Sequence, residues 1–68
     1  MRARLVQRRL GFGFALLEDT QERVFISAQA CNFRLMSALP GDWLDIASVV
    51  DDGRQTPAAI GVTWTGRD

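Results

Sequence analysis

The fold of this chain is decided by the stretch Gly11-Phe12-Gly13-Phe14-Ala15-Leu16-Leu17. Successive side chains on a β-strand point to opposite faces, so Phe12 and Phe14 share one face of this segment. A polar loop over residues 18–22 follows, and after it comes a second strand-like segment, Arg23-Val24-Phe25-Ile26-Ser27. Pairing of the two segments through that loop would place all three phenylalanines on one face and aliphatic side chains on the other.

Further strand-like segments lie on both sides of this pair, over residues 2–7, 43–50 and 58–64. Turn signals separate them at intervals of about 8–12 residues, which is typical of a β-sandwich or β-barrel. Residues 27–38 contain no glycine or proline, and we expect a short helix or a 3₁₀ turn there. Five short strands leave an exposed sheet edge unless the sheet closes on itself. The sequence therefore predicts one all-β domain over residues 1–68, a five-stranded antiparallel barrel.

The phenylalanine face is expected to point outward, because the aliphatic side chains of the same strands fill the interior. Trp43 is expected to point outward beside Asp45, and Trp64 to close one end of the core. Outward exposure of Trp43 suggests either that it covers a neighbouring strand or that it contacts a protein partner. The predicted interior consists of Ala3 or Val6, Ala15, Leu17, Val24, Ile26, Leu44, Ile46, Ile60 and Val62.

Composition limits the classes of function. Eight acidic residues balance eight basic ones, so net charge alone does not predict nucleic-acid binding. All the basic residues are arginine, and four of them lie within the first nine positions, where there is no acid. A single cysteine, Cys31, excludes an internal disulfide, and we expect it to be a small packing residue. No signal-peptide pattern and no apolar run of membrane-spanning length occur, so we expect a cytoplasmic protein without membrane contact.

Catalysis has little support in the sequence. The chain has no histidine, lysine or tyrosine, and it contains no glycine-rich phosphate loop. The carboxylates lie in turn segments, where solvation is their usual state, and no metal-ligand spacing is present. We therefore expect a protein that is not an enzyme and that needs neither a cofactor nor a metal.

An outward aromatic face suggests a different function. Single-stranded nucleic acid exposes flat bases and a phosphate backbone, and proteins bind it with aromatic platforms flanked by cations. Phe12, Phe14 and Phe25 would form such a platform, and the N-terminal arginines would lie near its edge. The same rings could instead be ordinary core residues, which is the usual fate of phenylalanine in a β protein.

Four motifs of this chain resemble those of the cold shock domain family. The first ribonucleoprotein-like motif of that family, Lys-Gly-Phe-Gly-Phe-Ile, is similar to Leu10-Gly11-Phe12-Gly13-Phe14-Ala15. Its second motif, Val-Phe-Val-His-Phe, is similar to Val24-Phe25-Ile26-Ser27-Ala28. Two later patterns resemble Gly41-Asp42-Trp43-Leu44 and Thr56-Pro57-Ala58-Ala59-Ile60-Gly61-Val62. Their order and spacing agree over nearly the whole chain.

The resemblance implies a Greek-key barrel with the OB-fold. It also implies binding of single-stranded RNA or DNA with low sequence specificity, as in an RNA chaperone. Arg4 stands where the family has a lysine, Phe33 is similar to the family's loop aromatic, and Arg54 lies one position from a late basic residue. The predicted nucleic-acid-binding residues are Phe12, Phe14, Phe25, Arg4, Phe33, Arg54 and Arg8.

This chain departs from the family pattern at several stacking positions. Leu5, Ser27 and Ala28 stand where the family has aromatic or histidine side chains, and the resemblance implies that all three are partly exposed. A second interpretation follows, in which the barrel is retained as a protein-interaction module. Its contact patch would consist of Trp43, Leu5, Leu10 and Phe33.

Overall fold

The computed structural model describes residues 1–51, 53 and 55–66. Five strands form in sequence order, with two 3₁₀ turns between the third and the fourth. The strands are β1 (Arg2–Arg9), β2 (Phe12–Leu17), β3 (Arg23–Ser27), β4 (Trp43–Val50) and β5 (Ala58–Gly66). The 3₁₀ turns, Ala28–Ala30 and Leu35–Ser37, lie in the segment where a short helix or 3₁₀ turn was predicted.

The strands close into a barrel in the order β1-β2-β3-β5-β4, with β4 also paired to β1. This confirms the predicted closed five-stranded barrel. Four pairings are antiparallel, as predicted, whereas β3 and β5 run parallel and meet at Phe25 and Ala58. The parallel pair is unavoidable, because strand direction cannot alternate all the way around a closed ring with an odd number of strands.

The core fills the inside of this barrel, and the second 3₁₀ turn contributes to it. The predicted interior residues are buried, with Ala3 rather than its alternative Val6 inside β1, and Ile60 is the one that contradicts the prediction. Val6 is 37% exposed and Ile60 is 46% exposed, while their neighbours Leu5 and Ala59 are buried instead. The buried apolar set is Ala3, Leu5, Ala15, Leu17, Val24, Ile26, Leu35, Ala38, Leu44, Ile46, Ala59 and Val62.

Regular alternation along β1 buries Ala3 and Leu5 and leaves Val6 outward, and a β-bulge follows directly. Leu5 pairs with Ala15 and Gln7 pairs with Phe14, so Val6 is an extra residue in β1 that has no opposite number in β2. An extra residue shifts the inward–outward alternation of a strand by one position. Leu5, which precedes the bulge, points into the core opposite the buried Ala15, and this corrects the expectation that it is partly exposed.

Gly61 explains why Ile60 is exposed although it was predicted to lie in the interior. Its φ of +67° lies in the left-handed region, which reverses the alternation of β5 between Ala59 and Val62. A Cβ atom at this position would lie 2.8 Å from the Cβ of Ala47 on β4. Glycine therefore meets two requirements here, one for the backbone conformation and one for the close approach of two strands.

Gly61→Ala is expected to lower the free energy of unfolding by about 1–2 kcal/mol through its left-handed backbone alone. The contact with Ala47 should add to this loss, because the added methyl group has no room. Urea denaturation of the two proteins measures the difference. Gly11→Ala is the matched control, because Gly11 also has a positive φ, +84°, but has open space where the Cβ would stand. Equal losses in the two variants would contradict the proposed clash.

Trp64 does not close the core as predicted, since 39% of it is exposed. Its indole Nε1 donates a hydrogen bond of 3.2 Å to Oδ2 of Asp42, which is buried. The same carboxylate oxygen accepts a hydrogen bond of 3.0 Å from the backbone N–H of Leu39. The Asp42 carbonyl in turn accepts from the N–H of Leu5, so this buried carboxylate ties the end of β5 to the loop before β4.

Candidate nucleic-acid interface

Phe12, Phe14 and Phe25 form a cluster on the outer face of β2 and β3, which we call the phenylalanine face. The backbone register places Phe14 opposite Phe25, and Phe12 two residues further along the same face. The ring centroids of Phe12 and Phe25 are 5.8 Å apart in a stacked arrangement. Phe14 meets both rings edge-on, at 6.0 Å from Phe12 and 5.8 Å from Phe25.

These rings are outside the barrel because the residues between them fill the inside. Ala15, Val24 and Ile26 are buried on the opposite face of the same strands, whereas each of the three rings is half-buried. Mutual ring contacts at these distances are favourable by about 0.5–1.5 kcal/mol per pair beyond burial. The rings therefore support one another and keep part of each surface open to solvent.

Arg23 also belongs to this surface, although it is not among the predicted nucleic-acid-binding residues. Its guanidinium carbon lies 5.0 Å from the centroid of the Phe14 ring, within the range of a cation–π interaction. The pattern that could have identified it was its position two residues before Phe25, which places both side chains on one face of β3. It brings a positive charge to the edge of the phenylalanine face.

A pocket of about 230 Å³ opens beside the rings and is lined by Phe14, Phe25, Thr56 and Ala58. Phe25 and Ala58 are the residues at which β3 and β5 pair, so the pocket lies over that junction. The backbone N–H of Phe25 also donates to the carbonyl of Pro57 at 2.8 Å. The last two lining residues were not predicted, because only the barrel closure brings residues 56–58 next to β3.

The predicted arginines occupy different environments. Arg4 is exposed on β1, with its guanidinium carbon 4.9 Å from the centroid of the Trp43 ring. Arg2 lies over the same ring at 3.9 Å and forms an ion pair of 3.2 Å with Glu18. Arg8 instead donates two hydrogen bonds of 2.6 Å to the carbonyl oxygens of Met36 and Ala38. Its guanidinium thus holds the second 3₁₀ turn against β1.

The structure does not place Phe33 with the phenylalanine face. Its ring lies 6.2 Å from that of Trp64, and it packs against the core. Trp64 is six positions beyond Ala58 on β5, which corresponds to about 20 Å along a strand. Arg54, the remaining predicted site residue, lies outside the described residues.

The three positions where the resemblance implies missing stacking residues also differ from one another. Leu5 is fully buried, so it belongs to no surface patch, and the predicted patch of four residues is not formed. Ser27 is half-buried, and its hydroxyl accepts a hydrogen bond of 3.2 Å from the N–H of Ala30. Ala28 is exposed. Ser27 therefore caps the first 3₁₀ turn, a role for which a hydroxyl is suited.

Other chemistry near the site is limited. Burial raises the pKa of the Cys31 thiol, which donates to the carbonyl of Ser27 at 3.3 Å. A thiol with a raised pKa is a poor nucleophile at neutral pH. Within residues 1–51, 53 and 55–66, no three side chains are grouped as metal ligands, and no helix has the length and apolar character to cross a membrane.

No protein family matches the sequence, and no curated protein matches it either.

Proposed function

We propose that this protein binds single-stranded RNA or DNA with low sequence specificity on the phenylalanine face. The observation that carries the proposal is the set of three mutually packed rings held outside a closed core and partly exposed to solvent. Apolar side chains grouped at a surface mark a binding site more often than a structural need. Unpaired bases stack on such rings, each stack contributing about 1–3 kcal/mol.

The contacts available on this face explain why specificity would be low. Stacking is tolerant of sequence, because every base has a π-face. The described side chains around the rings offer the guanidinium of Arg23 and the hydroxyl of Thr56, and strand pairing also places Gln7 opposite Phe14 and Arg9 opposite Phe12. Stacking on the rings, rather than these polar groups, would carry most of the binding. The pocket between Phe14 and Thr56 would receive one base edge or one sugar beside the stacked rings.

Binding of this kind would act on RNA structure by mass action. A protein that binds only the unpaired state shifts weak hairpins toward it, which is the action of an RNA chaperone. The resemblance to the cold shock domain supports the proposal, and we propose that the protein acts in the cytoplasm. The platform has fewer aromatic side chains than the family pattern, so we expect an affinity in the micromolar range or weaker.

The first test is a fluorescence anisotropy titration with labelled oligothymidine and with a duplex of the same length. We expect binding to the single strand and weaker or no binding to the duplex, because paired bases cannot reach the phenylalanine face. We also expect a shallow salt dependence. Two or three phosphate contacts at about 0.7 each give a log–log slope of about −1.4 to −2.1.

Two outcomes would contradict the proposal. Equal affinity for duplex and single strand would mean that the rings contact no bases. A salt slope steeper than about −4 would mean that electrostatic attraction dominates and that stacking is secondary.

A protein-interaction module remains the second candidate, and one observation favours it. Leu10, at the turn between β1 and β2, is 86% exposed, which places a large apolar side chain in solvent next to the phenylalanine face. A protein partner could cover Leu10 and the rings together. Failure of the oligonucleotide titration would leave this candidate in place of the first.

A further inference from the structure

We propose that the nucleic-acid-binding surface continues from the phenylalanine face across β1 onto β4. There, Arg4 is held over the indole ring of Trp43 and binds a phosphate group of the same single strand. This inference rests on the proposed function. Arg4, on β1, is already among the predicted binding residues, and the new element is its phosphate contact and its positioning by Trp43 on β4. Arg4 would be the binding residue, and Trp43 would be the residue that positions it.

The strand register aligns the required residues. Trp43 pairs with Arg4 across β4 and β1, and Arg4 pairs with Leu16 across β1 and β2. Leu16 in turn pairs with Arg23 across β2 and β3. Neighbouring strands lie about 4.8 Å apart, so these residues form one row of about 14 Å on the outside of four strands. The row runs beside the pair Phe14 and Phe25, two residues further along the strands.

The two arginines at Trp43 are not equivalent. Arg2 is engaged by the Glu18 carboxylate, at 3.2 Å. Within the described part of the chain, Arg4 makes no ion pair, and its guanidinium carbon lies 4.9 Å from the indole centroid. A guanidinium lying over a ring keeps its in-plane N–H groups available, and these match the oxygens of a phosphate. Trp43 therefore prepares Arg4 to bind an anion.

The pattern along the row favours a nucleic-acid strand over an acidic peptide. A cation lies over an aromatic ring at both ends, with Arg4 over Trp43 and Arg23 over Phe14. A single strand carries phosphates and flat bases in alternation, so it can engage the cations and the adjacent rings together. An acidic peptide would satisfy the arginines but would leave the three phenylalanine rings without partners.

The test measures the salt dependence of oligothymidine binding in substituted proteins between about 50 and 200 mM salt. Arg4→Gln should flatten the log–log slope by about 0.7, so its deficit in affinity relative to the unmodified protein shrinks about 2.6-fold over this range. Trp43→Leu should flatten the slope in the same direction, and Trp43→Phe, which retains an aromatic face, should recover it in part. Arg34→Gln is the matched control, because Arg34 is exposed in the loop before the second 3₁₀ turn, and its slope should not change.

The outcomes separate this inference from the function on which it rests. Oligothymidine binding with an unchanged slope in Arg4→Gln would overturn the phosphate site and leave the phenylalanine face standing. Absence of binding by the unmodified protein would overturn both. Competition by polyglutamate that depends equally on Arg4 would identify an acidic protein as the occupant and would also overturn the inference. Thermal melts should show that Arg4→Gln stays folded, because its side chain is exposed.

Discussion

Leu5→Ala is expected to lower the free energy of unfolding by about 2–5 kcal/mol, which is usual for a buried leucine. The side chain is fully enclosed, and the rest of the barrel cannot collapse around the lost volume without breaking strand pairs. A domain of this size has a small margin of stability, so much of the protein should be unfolded near physiological temperature. Urea denaturation followed by tryptophan fluorescence measures the loss. Val6→Ala is the matched control, with an expected change within about 0.5 kcal/mol because this neighbour faces solvent.

The same pair of positions tests the register of β1. Leu5→Trp should overpack the core and destabilise the domain by about 1–3 kcal/mol, whereas Val6→Trp should be accommodated. If position 5 were part of an exposed base-stacking platform, the tryptophan at that position would instead leave stability unchanged and tighten oligonucleotide binding. That result would contradict the inward placement of Leu5 opposite Ala15.

Phe25→Ala is expected to weaken oligothymidine binding by about five- to 150-fold, equivalent to about 1–3 kcal/mol for one lost stack. Phe25, like Phe14, contacts both other rings and lines the pocket, so its loss should have a large effect. Its truncation should also disturb the orientation of Phe12 and Phe14. Anisotropy titration measures the loss of affinity, and a thermal melt of the same variant measures the loss of stability.

Phe33→Ala is the control that shows whether binding depends on the phenylalanine face in particular or on any aromatic side chain. Its ring lies beside Trp64, so we expect an affinity within about twofold of the unmodified protein. An equal loss in Phe33→Ala and Phe25→Ala would mean that nucleic acid also contacts the end of the barrel near Trp64. Complete unfolding of Phe25→Ala would instead identify its ring as part of the core, with a stability loss of about 3–5 kcal/mol.

Local patterns in the sequence predicted much of the fold. The ends of β3 and β4 agree with the prediction, because period-two alternation and turn residues mark them clearly. The predicted interior was wrong at Ile60, which precedes a left-handed glycine, and of the two alternatives given for β1 it is Ala3, not Val6, that is buried. The sequence shows the glycines at positions 13 and 61, but it does not show which atoms of neighbouring strands lie close to them. A Cβ at Gly13 would lie 2.6 Å from the carbonyl oxygen of Gln7, a contact that only the paired strands create.

The site also combines contacts within one hairpin, which the sequence can predict, with contacts between strands that are distant in sequence, which it cannot. Phe12, Phe14 and Phe25 could be grouped from alternation within one hairpin. The second part of the surface could not, because the pairing of Arg4 with Trp43 joins β1 and β4, which are far apart in the sequence. Arg8 shows that a positive charge alone does not predict a phosphate contact. Its charge suggested a phosphate contact, and the structure engages it with the carbonyl groups of Met36 and Ala38.

The junction between β3 and β5 gives the barrel one weak point in its circumference. Within the described residues, these strands pair at one position, Phe25 with Ala58, whereas β4 and β5 pair along most of their length. Transient opening of the ring should therefore begin here, and the Phe25 amide, bonded to Pro57, should exchange its hydrogen earlier than the amides of β4. A ligand bound across the phenylalanine face would span this junction and hold β3 and β5 together. Its binding should therefore slow the transient opening of the barrel.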